Sequence, residues 1–265
     1  MGRVEDILAM DFAYLETFTE RIDTEWGALF CNERQENYYD ANHAHISSEV
    51  LDPDTVIDEV VTFYESKGII PRFYIYNPEQ HGRLLEALAQ HHFLTEELIS
   101  PVQLWDGHLE SMSLQPPTTV IERVDAHNVH EALHIECSIS EFGGKETMEK
   151  VFMEQWNHPN YMHFLLRHDG TAVSTACIFV HGNQARLESV ATLEAYRGKG
   201  FIGQLIRFVQ YESSRQGMRK LWVFPIHESV ERIYGKYGFH TLDSLKSVHA
   251  FARGRSIRDI HASHS

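Results

Sequence analysis

A turn with three glycines, Arg197-Gly-Lys-Gly-Phe-Ile-Gly203, separates two stretches with different hydrophobic patterns. Residues Arg186–Leu193 before it have strand composition, and the residues after it carry apolar side chains at helical spacing. A turn from a strand into a helix start leaves backbone N–H groups unpaired, and these donors form an anion site with the positive end of the helix dipole. Glycines admit a phosphate closely, while Arg197 and Lys199 add positive charge. The turn therefore predicts a diphosphate site.

Two common phosphate-binding turns fit less well. A Walker loop requires Lys-Ser/Thr after its last glycine, whereas Gln204 and Leu205 follow Gly203. The spacing Gly198-x-Gly200-x-x-Gly203 satisfies the dinucleotide fingerprint literally. However, this turn lies late in the chain, and no acidic residue about twenty positions later ends a second strand as a ribose ligand should.

The stretch Ala191-Thr-Leu-Glu-Ala-Tyr-Arg-Gly-Lys-Gly200 resembles motif A of the GNAT acetyltransferase family. In that family an Arg/Gln-x-x-Gly-x-Gly/Ala loop holds the pyrophosphate of acetyl-CoA. One departure is visible, because the last Gly/Ala of the family pattern falls on Ile202, with Gly203 one place later.

A second resemblance follows the short apolar strand Lys220–Phe224. The next motif of the family has the form Asn-x-x-Ala-x-x-x-Tyr-Glu-Lys-Leu-Gly-Phe. Tyr234, Lys236, Gly238 and Phe239 match it, whereas the two variant positions are His227 for Asn and Val230 for Ala. Together the motifs imply a GNAT fold of the α/β (α+β) class, with a mixed central sheet flanked by helices.

The resemblance also implies an acetyl-CoA-dependent N-acetyltransferase. It assigns contacts with acetyl-CoA to Val190, Ala191, Thr192, Arg197, Gly198, Lys199, Gly200, Phe201, Ile202, Gly203 and His227. It makes Tyr234 the acid that protonates the leaving thiolate, since a phenol is mostly protonated near neutral pH. It makes Glu188, a carboxylate within an otherwise apolar strand, the base.

Each of these roles has a structural alternative. Tyr234 also suits a core aromatic of an amphipathic helix. Glu188 also suits an exposed edge of a sheet, and His227 also suits a solvent-facing helix start. The alternative function for the chain is a non-catalytic module that binds CoA, or a partner, on a GNAT scaffold.

The first half repeats the strand–helix–strand order of the second. Arg72–Tyr76, a helix and then Phe93 resemble Leu221–Phe224, a helix and then Phe239. We therefore expect two GNAT-like halves, a degenerate domain at 1–110 and an acetyl-CoA-binding domain at 118–265, although short α/β segments also resemble one another by chance. The counterpart of the glycine turn, Asp52–Val56, has two carboxylates and no glycine, so the first half should bind no cofactor.

Local patterns predict further elements. A mixture of apolar and acidic residues predicts a helix over Val4–Arg21. Strand composition at Trp26–Cys31 and Tyr38–Ile46 predicts two strands, and His168-Asp-Gly170 predicts the turn of a hairpin.

Composition limits the partners. The net charge of −15 would repel phosphate backbones and argues against nucleic acid, whereas it is compatible with amine substrates. The three separated cysteines and the lack of a signal-like or membrane-length apolar run predict a cytoplasmic protein. His43-x-His45 and His91-His92 lack a third ligand at usual spacing, so no metal is expected. The expected acceptor is a small-molecule, amino-acid or peptide amine, and the expected state is a monomer or homodimer.

Overall fold

The computed structural model of the 265-residue chain describes residues 3–109, 118–139, 145–225 and 228–262. Helices and strands alternate through most of this length. In chain order they are α1 (Arg3–Leu15), β1 (Glu20–Thr24), β2 (Gly27–Cys31), β3 (His43–Ile46), α2 (Pro53–Glu65), β4 (Arg72–Tyr76), α3 (Gly82–Gln90), β5 (Leu94–Trp105), β6 (Thr119–Arg123), α4 (Val129–Cys137), α5 (Lys145–Asn157), β7 (Tyr161–His168), β8 (Thr171–His181), β9 (Gln184–Thr192), α6 (Phe201–Arg215), β10 (Lys220–Val223), α7 (Glu228–Gly235), β11 (Phe239–Phe251) and α8 (Ile257–Ala262).

The chain divides into two compact units. The first contains the residues up to Ser100 and takes up the chain again at Ser244. The second runs from Pro101 to Asp243. The mixed α/β class, with a mixed sheet flanked by helices, agrees with the fold expected from the sequence.

In the second unit, β6, β7, β8 and β9 form an antiparallel meander, and β10 continues it parallel to β9. Helix α6 makes the crossover that a parallel pair requires. Its apolar side chains Leu205, Ile206 and Val209 are fully buried in one cluster with Ala185 and Leu187 of β9. The opposite face of the sheet is covered by α4 and α5, through Ala132, Ile135 and Phe152.

The first unit contains the same kind of crossover. Strand β3 lies parallel to β4, and α2 connects them. Val56, Ile57, Val60 and Tyr64 of α2 are buried, as their helical spacing requires. A parallel strand–helix–strand crossover is thus present in both units, β3–α2–β4 in the first and β9–α6–β10 in the second.

The boundaries between the two units fall within strands β5 and β11. Pro101–Trp105 of β5 belongs to the second unit, where Leu104 and Gln103 pair antiparallel with Trp222 and Val223 of β10. Residues 247–251 of β11 belong to the first unit, where they pair antiparallel with β4. A single cut in the sequence would therefore separate residues 247–251 from the unit with which they pair.

Two local expectations were wrong in their extent. The predicted helix Val4–Arg21 ends at Leu15, because Glu20–Thr24 pairs with β2 as strand β1. This strand is mostly exposed, so its sequence carries no apolar alternation. The strand predicted over Tyr38–Ile46 is regular only from His43. The hairpin turn is confirmed: Asp169 and Gly170 both have positive φ, 49° and 78°, as a tight two-residue β-turn requires.

Buried histidines line one face of the first unit's sheet. His43, His45 and His249 are at most 3% exposed. Burial lowers the pKa of His43 to about 3 and that of His249 to about 4, and it lowers the pKa of His45 well below its usual value. Arg72 donates to Nε2 of His249 at 2.9 Å, so the proton on this neutral ring lies on Nδ1 and is donated to Glu96 at 2.8 Å.

These histidines predict loss of stability in mild acid. Because the folded chain resists protonation, the unfolded chain binds protons first, and stability that is present above pH 6.5 declines as the pH falls toward 4. Each histidine contributes about 1.4 kcal/mol per pH unit in this window. Urea unfolding at pH 7 and pH 5 should show the decline, and His45→Gln should reduce it.

The exposed His92 supplies the control, since no such burial affects it. His92→Asn should leave the pH dependence unchanged. An equal pH dependence in the wild type and in His45→Gln would contradict this account.

Candidate functional site

The glycine turn is an open helix start. Gly198 and Gly200 have positive φ, 78° and 81°, and no atom lies within 4 Å of where a Cβ would be. Gly200 is the N-cap of α6 and supplies no capping side chain, so the first amides of the helix are not bonded by their own cap. Lys199 lies 4.8 Å from the ring centre of Tyr196, and Nε of Arg197 donates to the Thr192 carbonyl at 3.3 Å. The turn therefore has room, donors and positive charge for an anion.

Gly203 serves a different purpose. It lies inside α6, where an added Cβ would overlap the hydroxyl of Tyr237 and lie 2.6 Å from Cζ of that ring. The Tyr237 ring also lies 5.1 Å from the guanidinium of Arg207, and its carbonyl accepts from Gln210 at 2.6 Å. Glycine at 203 is thus required for packing rather than for access of a phosphate. Phe201 is buried, and Ile202 is partly buried against the same cluster.

Strand β9 loses one neighbour before it reaches the turn. Its parallel pairing with β10 runs from Gln184 to Leu187, and in the described chain no β10 residue pairs with Glu188–Thr192. On its other edge β9 stays paired to β8 as far as Thr192, where Ser174 bonds the Ala191 carbonyl at 2.6 Å. The sheet is therefore open on the β10 side along the five residues that lead to the glycine turn. Val190, Ala191 and Thr192, predicted to contact the cofactor, lie in this stretch.

A β-bulge marks the start of the opening. The register of β8 against β9 shifts between Thr175 and Cys177, so that Ser189 and Val190 together oppose Ala176. Ser189 has φ = 47°, a left-handed conformation that is uncommon outside glycine. Such bulges re-aim neighbouring side chains and are frequent next to active sites. No pattern in the local sequence predicts this bulge.

Glu188, one of the two predicted catalytic residues, directly precedes this bulge, and its charge acts on Tyr234, the other. Tyr234 is 7% exposed on α7, with its ring 5.6 Å from that of Phe239. Burial first, and the nearby charge of Glu188 second, raises the pKa of Tyr234, which keeps the phenol protonated. The Glu188 side chain is 19% exposed and forms an ion pair with Arg186 on the same strand. His227 lies outside the described residues.

Helix α7 is held in place by the segment that follows Ser100. Gln103 donates to the Glu231 carbonyl at 3.3 Å, and Asp106 N donates to the Gly238 carbonyl at 3.0 Å. Gly238 has φ = 77° and ends the helical segment against the carboxylate of Asp106. Residues near 101–106, which the sequence analysis left outside the functional half, therefore help to position Tyr234.

Residues 129–239 match the model of the acetyltransferase (GNAT) family. They form a GNAT domain. No curated protein matches the sequence. A solved GCN5-related N-acetyltransferase from Kribbella flavida is 16% identical, with a TM-score of 0.69 over 98% of this chain and 99% of that one. A functionally unknown conserved protein from Staphylococcus epidermidis is 14% identical, with a TM-score of 0.66 over 91% of this chain and 98% of that one.

A tandem GNAT protein from the clavulanic acid biosynthesis pathway also has a similar structure. It is 10% identical, with a TM-score of 0.56 over 81% of this chain and 76% of that one. At these identities the likenesses establish the fold, and they extend it beyond the GNAT domain at 129–239 to most of the chain.

A carboxyl group and an imidazole form a buried pair between α4 and β7 of the GNAT domain. Glu136 of α4 is fully buried, and its carboxyl group has no hydrogen-bond partner; Oε1 lies 4.0 Å from Nδ1 of His163. Nε2 of His163 lies 3.6 Å from the sulfur of Cys177, which is paired opposite Glu188. Burial raises the pKa of Glu136 to about 8 and lowers that of His163 to about 4, so near neutral pH both groups are mainly uncharged. No local sequence pattern indicated this pair, because its two residues lie on different elements.

None of the described helices has the length and apolar character needed to cross a membrane. No cluster of three or more His, Cys, Asp or Glu side chains suited to a metal was found there. The cysteines Cys31, Cys137 and Cys177 are all free.

The packing of Gly203 gives a test of the site's framework. Gly203→Ala should destabilise the GNAT domain by about 1–3 kcal/mol, because the new methyl group overlaps Tyr237 in a packed core. Gly235→Ala is the matched control, since Gly235 is also helical and has open space at its Cβ position. There the greater helix propensity of alanine should stabilise or be neutral.

The double variant Gly203→Ala with Tyr237→Leu should recover part of the loss, as measured by urea unfolding. If Gly203→Ala were as harmless as Gly235→Ala, the close approach of Tyr237 would not be what requires glycine.

Proposed function

We propose that the chain is an acetyl-CoA-dependent N-acetyltransferase that acts on a primary amine. The observation that supports this proposal most is the uncapped start of α6 at Gly200, which follows directly on the part of β9 that β10 does not pair. Tyr234, on which the charge of Glu188 acts, supplies the proposed acid. A diphosphate fits the helix start because the Cβ positions of Gly198 and Gly200 are open. An extended amide-bearing arm fits the edge of β9 at Ser189–Thr192, beyond its pairing with β10, as an added strand would.

The reaction follows from these positions. Acetyl-CoA supplies an activated acyl group whose carbonyl carbon is attacked by the amine nitrogen. Glu188 accepts the first proton that the ammonium must lose, directly or through water, and later releases it to solvent. The C–N bond forms as the C–S bond breaks, and the nitrogen loses its second proton to solvent as the neutral amide forms. Tyr234 gives its proton to the leaving sulfur, for which its raised pKa keeps it available. The phenol regains a proton from solvent before the next turnover.

The first unit is proposed to bind no cofactor. The start of α2, its counterpart of the glycine turn, is occupied by its own side chain: Asp52 accepts from Thr55 N at 3.3 Å and from Thr55 Oγ1 at 2.8 Å. The helix donors there are thus already used, and a carboxylate lies where a phosphate would bind. We further propose a cytoplasmic location, with which the free cysteines are compatible.

The alternative is a GNAT scaffold that binds CoA or a partner without catalysis. The ion pair of Arg186 with Glu188 favours this alternative, because Arg186 already binds the carboxylate that would accept the proton of the amine. Both functions predict binding of CoA, and only the first predicts turnover.

Gly200→Glu tests cofactor binding. The substitution puts a side chain and a negative charge at the helix start, so acetyl-CoA binding measured by calorimetry should be abolished. Gly217→Glu is the matched control, because Gly217 has a similar φ of 75° and open space but lies at the other end of α6. It should bear the same backbone strain and keep the affinity. Unchanged affinity in Gly200→Glu would end the assignment of this site.

Tyr234→Phe tests the chemistry. The variant keeps the ring in its cluster and removes the hydroxyl, so turnover should fall by roughly ten- to a thousand-fold. Affinity for acetyl-CoA should stay within a few-fold, and Tyr211→Phe at an exposed position of α6 should change neither quantity. A lower melting temperature with unchanged turnover would make Tyr234 a packing residue only.

A further inference from the structure

The pair Arg186–Glu188 carries information about the acceptor. Both residues are on β9 and oppose Phe179 and Cys177 of β8, so they lie on the same face of the sheet. The alternate residues Ala185 and Leu187 face the other way, into the cluster that contains α6 and Tyr234. Arg186 and Glu188 thus lie on the face opposite α6. An amine that reaches the carboxylate of Glu188 therefore also meets the guanidinium of Arg186.

Arg186 is held firmly at this position. The carbon of its guanidinium lies 4.2 Å from the ring centre of Phe224, within the range of a cation–π contact. Trp222, its neighbour in the β9–β10 register, is fixed by a 2.7 Å hydrogen bond from its indole to Gln184. The Arg186 side chain is 11% exposed and that of Glu188 19%, so both still reach solvent. The result is a rigid positive charge beside the proposed base.

This arrangement disfavours a plain amine. An ammonium that approaches Glu188 must compete with Arg186 for the same carboxylate and is repelled by the guanidinium. An acceptor with its own carboxylate beside the amino group removes the conflict, because its negative group binds Arg186 while its ammonium binds Glu188. A guanidinium is well suited to a carboxylate, which it can bind through two parallel hydrogen bonds. The site thereby rejects one class of amine and favours another.

We propose that the acceptor is an α-amino acid, or another small amine with a carboxylate next to the amino group, and that Arg186 is the residue that selects it. The proposal rests on the acetyltransferase function proposed above. It runs against the overall charge of −15, which by itself would favour polyamines and other cations. The local charge decides here because it lies beside Glu188, whereas the surface charge is spread and screened.

The test uses the full-length chain and pairs of acceptors that differ only in the carboxylate, such as tyrosine with tyramine and lysine with cadaverine. The measurement is the rate of CoA thiol release with acetyl-CoA. The carboxylated member of at least one pair should have a kcat/KM about 100-fold higher or more, since a site that binds a polar group discriminates strongly against its absence. Equal or better use of the decarboxylated members, polyamines included, would overturn the proposal.

Substitutions of Arg186 test whether this residue causes the preference for a carboxylated acceptor. Arg186→Gln should remove the preference chiefly through a higher KM for the carboxylated acceptor, and Arg186→Lys should keep part of it. Arg215→Gln, at an exposed arginine of α6 paired with Glu212, should preserve it. A preference that survives Arg186→Gln would show that another residue selects the carboxylate. If Arg186→Gln fails to fold, the wild-type comparison still decides the substrate class.

Calorimetry with CoA distinguishes failure of the proposed acceptor class from failure of the acetyltransferase function on which it rests. If the wild type binds no CoA, or binds it and acetylates no amine, the transferase function fails and the acceptor class with it. If it binds CoA and acetylates plain amines as readily as amino acids, the transferase function stands and only the role of Arg186 is lost.

Discussion

The short pairing of β9 with β10 is the constraint on which the proposed site depends. It ends at the pair Leu187–Val223, while β9 continues for five residues along β8. Unpaired backbone groups in the interior cost free energy unless water or a ligand bonds them. The opening therefore creates a place for an extended polar ligand, and α6 begins at its end. The bulge at Ser189 and the ion pair at Arg186–Glu188 lie at the point where the strands separate.

The sequence predicted the features that local spacing encodes. The glycine turn, the helix after it and the place of Tyr234 all follow from patterns within a few residues, and the structure has each of these elements. The sequence did not indicate why residue 203 must be glycine. Tyr237, which contacts this position, comes more than thirty residues later and lies next to it only in the folded chain. The bulge, the pairing of Gln103 with β10 and the Glu136–His163 pair depend on register between distant strands. Register is set by the whole sheet rather than by local composition.

Titratable groups in the interior of the GNAT domain act in opposite directions. His163 resists protonation, so its contribution to stability falls as the pH drops below 6.5 toward about 4. Glu136 resists ionisation, so its contribution falls as the pH rises from 4.5 toward about 8. Between pH 4.5 and 6.5 the two slopes offset each other. The described part of the first unit has four buried histidines, His43, His45, His81 and His249, whose pKa values are all lowered, and its response to acid should be the steeper.

The pairing of residues 247–251 of β11 with β4 affects the order in which the chain can fold during synthesis. Arg72 pairs with Phe251 and Tyr76 with Ser247, which follow the second unit in the sequence. Domains generally fold as they leave the ribosome, from the N-terminus onward. Here the first unit cannot complete its sheet until residues 247–251 have been synthesised, after the whole of the second unit's range 101–243. During that interval the unpaired edge of β4 is exposed, and such edges are the sites at which strands from other molecules add. The order of synthesis and the order of folding are thus reversed for this half of the protein.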